Sequence, residues 1–528
     1  MRFPGHYWWK RVFHPILGAS VYSSFHKFKK LFPGAIMFRL MKFTSLLSFL
    51  FLTACSSESD TTAASSEMAA ESAMTDMAPS IADVSSAMGL EGVDSLMLTG
   101  TGWRIRNSFR QTRTASPPWP ERDQISNWTQ AIDFTAPSMH GVGDTFASNL
   151  FLAPPVAGVH RVNIPAGADS WSQQMEIWLT PWGFVKGAQM YGAQSSTTDN
   201  GQTMFTFQSP EDMTAPSGMR YTVNGVVNAD NLVVRTETWV EDAFMGDMHV
   251  VGVYDDYMSY NGLMVPLSME QQRGGGGIFG VDVASASANP ANLAELLTAP
   301  ESGGGGGAGG GAGGNAAPAD LTEQIGEGAW LVNGGYVSLV LEFADHLTVF
   351  ESGQSESRGE QILQQIRDNI SDKEIRYIIN SHPHSDHTGG LVPFMREGAT
   401  LVTHEENVAF LDMALNTPRS LLGEADLNAQ VIGISGVGVF EDETNRIELH
   451  SVPNLHTNGM LVAVLPAQSV LVQADFTLPQ PGAEANAFVK TLARYIEEND
   501  VQFERYLAIH AANVPQTRDD LLAAIAGE

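Results

Sequence analysis

Between Ser381 and Gly390 the chain reads Ser-His-Pro-His-Ser-Asp-His-Thr-Gly-Gly. His382, His384, Asp386 and His387 follow one another as His-x-His-x-Asp-His, three imidazoles and a carboxylate within six residues. Neutral imidazole and carboxylate are the donors that Zn²⁺ and similar divalent ions take. Neither the period of a helix nor that of a strand asks for this spacing in packing. Three further residues of the same chemistry stand singly, each beside its own apolar run. His456 precedes Leu461–Leu465, Asp475 ends the run 470–474, and His510 follows the run 506–509. One such residue alone is more often structural than functional. Three at the ends of apolar runs, downstream of a metal-type cluster, point to one site.

The elements that must position them are short. Residues 375–380, Ile-Arg-Tyr-Ile-Ile-Asn, read as a buried strand, and 388–395, Thr-Gly-Gly-Leu-Val-Pro-Phe-Met, as the start of a short helix. A strand, a ligand-bearing loop and a helix place the four side chains at the carboxyl end of a strand, where open α/β sheets carry their chemistry.

These motifs make residues 321–528 resemble a metallo-β-lactamase-fold hydrolase. The opening Trp330–Phe343 is similar to that family's first hairpin, and Val349-Phe350-Glu351-Ser352-Gly353 with Ser357-Arg358-Gly359-Glu360 resembles an uncharacterised branch of it. In that branch Glu351 stands where most relatives carry Asp. The resemblance implies a first metal site of His382, His384 and His456 and a second of Asp386, His387 and His510, with Asp475 bridging both. It implies Zn²⁺, two per chain, with Fe or Mn as alternatives, and gives Asp386 the task of orienting the attacking water. An ion of this kind lowers the pKa of bound water towards about 7, which suits hydrolysis of an ester, thioester, lactone or amide. The single cysteine, Cys55, lies far from these motifs, so the thiolate ligand of the commonest true β-lactamases of the fold is missing. Asp at 475 instead resembles the bridging position of glyoxalase II, lactonases, RNase Z and alkylsulfatases. A mononuclear iron oxygenase on the same scaffold would use only His382, His456 and Asp475, and a lipid- or partner-binding lipoprotein with a vestigial metal domain is the third reading. The residues after His510, Ala511-Ala512-Asn513, depart from the family pattern in lacking the glycine that often flanks this ligand.

The rest of the 528 residues frames that domain. Residues 41–55 carry a basic end, a short apolar core and Leu52-Thr53-Ala54-Cys55, which resembles a bacterial lipoprotein signal with Cys55 as the lipidated residue. Residues 1–40 read as an extension upstream of the true start. Cleavage before Cys55 would remove eight basic residues and no acidic one, taking the formal charge from −30 to −38. So acidic a surface repels nucleic acid and suits a periplasmic protein anchored by lipid to the outer membrane, acting on a small-molecule substrate. Residues 55–90 read as a disordered tether and 91–287 as a β-rich domain resembling the half-barrel of lipoprotein-carrier domains. A glycine-rich linker follows at 288–320, which would let the two domains move independently. Trp103, Trp119, Trp128, Trp171, Trp178, Trp182 and Trp239 could line an apolar groove, though an aromatic stripe is more often core. The fold expected is α+β overall, with a C-terminal αβ/βα sandwich behind the β-rich domain.

Overall fold

The computed structural model describes residues 78–105, 122–146, 156–298, 320–453, 456–457, 459–479, 483–510 and 516–526. The signal segment with Cys55, most of the tether, Trp119 and the glycine run at 303–314 lie outside the described residues. Among the described residues the fold is mixed α+β, with one sheet of eleven strands followed by two of seven and six.

Turn chemistry shapes the first sheet. Asn261 and Gly262 both take positive φ and join Gly246–Tyr260 to Leu263–Arg273 in a two-residue hairpin. Gly274 and Gly275 do the same between Leu263–Arg273 and Gly276–Ala288. The first strand, Ser95–Ile105, pairs with the last, Gly276–Ala288. Val156–Ile164 and Gln194–Thr197 remain as the two open edges. Two helices, Trp171–Trp178 and Pro181–Tyr191, connect those edges and lie across the sheet. The Phe184 ring fills the space over Gly225, where a Cβ would stand 2.2 Å from it. Trp128, Trp171, Trp178 and Trp182 are at most 2% exposed, so these four members of the aromatic stripe are core, while Trp103 and Trp239 are partly exposed.

Order begins earlier than the composition of 55–90 implied. Ser80 and Asp83 form a capping box that opens helix Ile81–Ala87, and Val84, Met88 and Leu90 are buried. The Met88 carbonyl accepts from the Met264 amide, so a segment read as tether is part of the first domain's core. The start of the linker is structured too: helix Leu293–Leu296 ends on the Leu296 carbonyl, which lies 2.8 Å from His140 Nδ1.

The other two sheets face each other. In the seven-stranded sheet Leu347–Phe350, Ile375–Ile379, Thr400–His404 and Val431–Ile434 run parallel, after an antiparallel opening at Thr322–Gly326, Ala329–Val332 and Ser338–Glu342. In the six-stranded sheet Val470–Gln473 runs parallel to Arg505–Ala508. Leu339, Leu341, Phe350, Ile379 and Val402 of one meet Leu449, Leu461, Ala463, Val472 and Leu507 of the other in a common core. Helices Glu356–Asn369, Leu391–Arg396 and Glu405–Leu415 associate with the first of these sheets, and Ala487–Glu498 with the second. This is a two-sheet sandwich with helices outside both layers.

The two domains are not independent. Residues 74–528 form one compact unit, and the turn after Val233–Asp242 grips the loop after helix Glu405–Leu415. The Asp247 carboxylate accepts from the backbone amides of Leu421 at 2.8 Å and Ser420 at 3.1 Å, while its own amide donates to Pro418 O at 2.7 Å. Arg419, 1% exposed, donates to Ala243 O at 2.9 Å, and the Phe244 and Phe410 rings pack 6.3 Å apart. A flexible linker permits motion but does not forbid a surface bond, and buried backbone groups that need partners supply one here.

Removing this contact leaves Leu421 and Phe410 uncovered and two amides without their carboxylate. A fragment of residues 321–528 is expected to keep its sandwich but to be cleaved by chymotrypsin between 410 and 425 well before the intact chain. Asp247→Ala in the full chain should show the same early cleavage, since a bond to a charged acceptor is worth about 1.5–3 kcal/mol.

Candidate metal centre

The loop after Ile375–Ile379 is held from three sides. Asn380 Nδ2 and Ser352 Oγ both donate to the His387 carbonyl, at 3.0 and 3.1 Å. Gly389 and Gly390 let the chain cross the loop after Leu347–Phe350. A Cβ on them would stand 2.3 Å from Gln354 O and 1.9 Å from Ser352 O. At the centre is Glu351, 1% exposed, with a positive φ of 73°. Such a backbone costs a non-glycine residue of order 1–3 kcal/mol. Its carboxylate offsets that: Oε1 accepts from the Ser381 amide at 2.8 Å and Oε2 lies 2.5 Å from His387 Nδ1.

Every one of the seven residues singled out in the sequence comes to the same place. His382, His384 and His456 form one group whose candidate ligand atoms lie within 4.8 Å of one another; Asp386, His387 and His510 form a second. His382, His387 and Asp475 form the group between them. Asp475 Oδ2 is 3.2 Å from Nε2 of both His382 and His387 and 3.5 Å from that of His456, and its Oδ1 is 3.6 Å from His510 Nε2. Asp386 Oδ2 lies 3.6 Å from His387 Nε2 and 3.7 Å from His510 Nε2. The motif's four residues come from the end of one sheet, while His456, Asp475 and His510 come from strand ends of the other.

The donor set fits divalent cations. In a tetrahedral site with Zn–N bonds near 2.0–2.1 Å, neighbouring donor atoms stand about 3.3–3.4 Å apart. The Nε2 atoms of His382 and His456 are 3.3 Å apart, and those of His387 and His510 are 3.0 Å apart. Imidazole nitrogens so close, with a carboxylate oxygen beside them, are arranged for a shared cation. The far nitrogens are also accounted for: with Nε2 turned to the site, His387 Nδ1–H donates to Glu351 and His382 Nδ1–H donates to Ser381 Oγ at 2.9 Å.

Electrostatics favour neutral nitrogens at four of the five histidines. Burial holds His384 and His382 well below the ordinary imidazole range, and it lowers His456 and His510. These are neutral donors at physiological pH. For His387 burial also opposes charge, but the Glu351 and Asp475 carboxylates outweigh it and hold the ring well above the ordinary value. Burial would raise Asp475, yet His387 and His382 pull it well below the carboxylate range. A buried negative group and a surplus of neutral nitrogens describe a cavity built around positive charge.

Two aromatic residues that the motif did not reveal flank the centre. Tyr336 stacks on His510 with centroids 4.0 Å apart, and Phe488 meets the His456 ring edge-on at 5.4 Å. Neither has a spacing signal, because each arrives through the tertiary fold.

Residues 332–523 match the family model of the Metallo-beta-lactamase superfamily. No curated protein matches the chain. Among solved structures, the metallo-beta-lactamase from Pontibacter korlensis is similar at 15% identity and a TM-score of 0.32, over 39% of this chain and 99% of that one. The metallo-beta-lactamase from Hirschia baltica is similar at 17% identity and 0.30, over 38% and 94%. That from Cronobacter sakazakii is similar at 17% and 0.29, over 36% and 74%. The C-terminal part of the chain is a metallo-beta-lactamase superfamily domain.

Glu351→Gln tests the buried bond. The amide can still accept from Ser381 but turns its NH₂ towards His387 Nδ1, so the proton moves to Nε2 and blocks the donor. Zinc affinity at the Asp386–His387–His510 triad is expected to fall about 10- to 100-fold, read by competition with a chromophoric chelator, while the fully imidazole triad keeps its affinity.

Proposed function

We propose that residues 321–528 hydrolyse an ester, thioester, lactone or amide at a two-cation centre, with zinc the ion best suited to the donors. The observation that carries this reading is Asp475: one carboxylate stands between two complete triads, so neither triad is redundant. Cations held there would polarise the scissile carbonyl and lower the pKa of the attacking water. The chain's own residues do the rest. His382, His384 and His456 offer three neutral nitrogens, which leaves one position of a tetrahedral site open to water or substrate. Asp386, about a quarter exposed, reaches the site from its open side, where its carboxylate can orient the attacking water and accept its proton. Tyr336 and Phe488 exclude bulk water from either flank. Asp475 and Asp386 together offset much of the charge of two dications.

A mononuclear iron oxygenase would need His382, His456 and Asp475 alone, and would leave His384, Asp386, His387 and His510 built without use. A vestigial domain would leave all seven so. Elemental analysis of the soluble chain, lacking residues 1–55, separates the three: two zinc, one iron, or none. His510→Ala is expected to lower zinc from two to one per chain and to reduce turnover at least tenfold; unchanged metal content and activity would remove His510 from the site. A panel of lactones, thioesters, aryl esters, amides, phosphodiesters and β-lactams then assigns the substrate class.

We also propose that the mature protein begins at Cys55, carries lipid there, and works in the periplasm at the outer membrane. The support is the Leu52-Thr53-Ala54-Cys55 sequence, with the chain's one cysteine at its end and no Asp at 56 or 57. Mass spectrometry of the mature N-terminus is expected to find diacylglyceryl-modified Cys55. Cys55→Ser should leave an unprocessed precursor, whereas a soluble product with another first residue would sink the assignment.

A further inference from the structure

The two triads are held differently. His382, His384 and His387 are buried, and Ser381 and Glu351 occupy the far nitrogens of the first and last. The outer pair of the second triad is more open: the Asp386 side chain is 25% exposed and that of His510 is 23% exposed. Tyr336 touches both. Its ring lies on His510 at 4.0 Å with planes 13° apart and reaches over His387 at 5.8 Å and 20°. His387 and His510 are themselves parallel within 9°. The Tyr336 hydroxyl faces the Asp386 carboxylate.

We propose that Tyr336 is the positioning residue of the second cation site, fixing the plane of His510 and the direction of Asp386, so that affinity for the second cation depends on it and affinity for the first does not. This rests on the two-cation reading above and deepens it.

The loop that presents Tyr336 is clamped. Gly334 and Gly335 take φ of 110° and 97°, which side-chain-bearing residues rarely adopt, and they turn the backbone so that residue 336 stands over the site. Arg358, 5% exposed on helix Glu356–Asn369, donates from Nη2 to the carbonyls of Val332 and Asn333 at 2.9 Å and of Tyr336 at 3.1 Å. Burial pushes that guanidinium down to about 10, still charged at neutral pH. On the other side the Val337 amide donates to Ile509 O at 3.1 Å. The residue after Tyr336 is thereby bonded to the residue before His510, so the two rings keep one register. A flat ring at 4.0 Å removes the freedom of the imidazole to swing, and a phenol facing the carboxylate limits that of Asp386. This is the service that Glu351 gives His387, supplied from another strand.

The test is a Co²⁺ titration of the metal-free full chain against a chromophoric chelator, with visible absorption to distinguish the two sites. Tyr336→Phe keeps the stack and loses the hydroxyl; Tyr336→Ala loses both. The second dissociation constant is expected to rise about 10-fold for Phe and towards 100-fold for Ala, the range for partners of ligating groups, with the first constant and the metal-free unfolding temperature unchanged. Arg358→Lys keeps the charge but loses the planar fork and should reproduce the selective loss. Equal affinities for wild type and Tyr336→Ala would overturn the inference, as would a loss shared by both sites. A wild-type chain that takes up one ion would instead overturn the two-cation reading, and this inference with it.

Discussion

The packing of two sheets across one apolar core is the constraint on which the site depends. Phe350 and Ile379 from one sheet and Val472 and Leu507 from the other are within a few residues of Glu351, His382, Asp475 and His510. The same contacts that remove these side chains from water therefore fix the separation of the donors that follow them. A cavity of even a few methylenes there would cost about 2–5 kcal/mol. It would also move imidazoles and carboxylates whose mutual distances are near 3.2–3.7 Å. Stability and site geometry are one quantity in this part of the molecule.

Bringing so many polar groups to a buried place is expensive, and the surrounding residues show how the cost is met. Burial disfavours charge on His382, His384, His456 and His510, so they stay neutral, while Asp475 is held in its charged form by the His387 and His382 rings that face it. Glu351 accepts a strained backbone in order to place its carboxylate between the Ser381 amide and His387. Arg358 commits a buried cation to three loop carbonyls. Such arrangements are poor for stability alone, since apolar replacements of similar volume are often neutral or better. They are what a preorganised polar site requires.

The eleven-stranded sheet is tied into this scheme at a distance. It touches the metal-binding domain through the turn at 243–247 and the loop at 417–421, on the far side of helix Glu405–Leu415 from the strand that carries it. The polyglycine between the domains gave no hint of that contact, because linker composition reports the freedom of the linker and not the complementarity of the surfaces it joins. The same holds for residues 81–90. Their Ser, Ala and Met content resembles the tether before them, and only the i to i+4 placement of Val84 and Met88 after a capping box marks a helix.

The sequence by itself determined the chemistry: His382, His384, Asp386 and His387 are close in the chain, so their types and spacing could be read directly. His456, Asp475 and His510 were legible because each ends an apolar run, and a strand end is where a parallel sheet presents its ligands. The hairpins at Asn261-Gly262 and Gly274-Gly275 close on residues that tolerate positive φ. Only the tertiary structure decided that Tyr336 covers His510, that Arg358 clamps the loop beneath it, that Phe488 walls the other side, and that Asp247 closes the two domains on each other. A tyrosine, an arginine or an aspartate has many uses, and nothing in its local sequence says which. What selects one is a partner more than a hundred residues away for Tyr336 and Asp247, brought within 3–4 Å by the burial of apolar surface elsewhere.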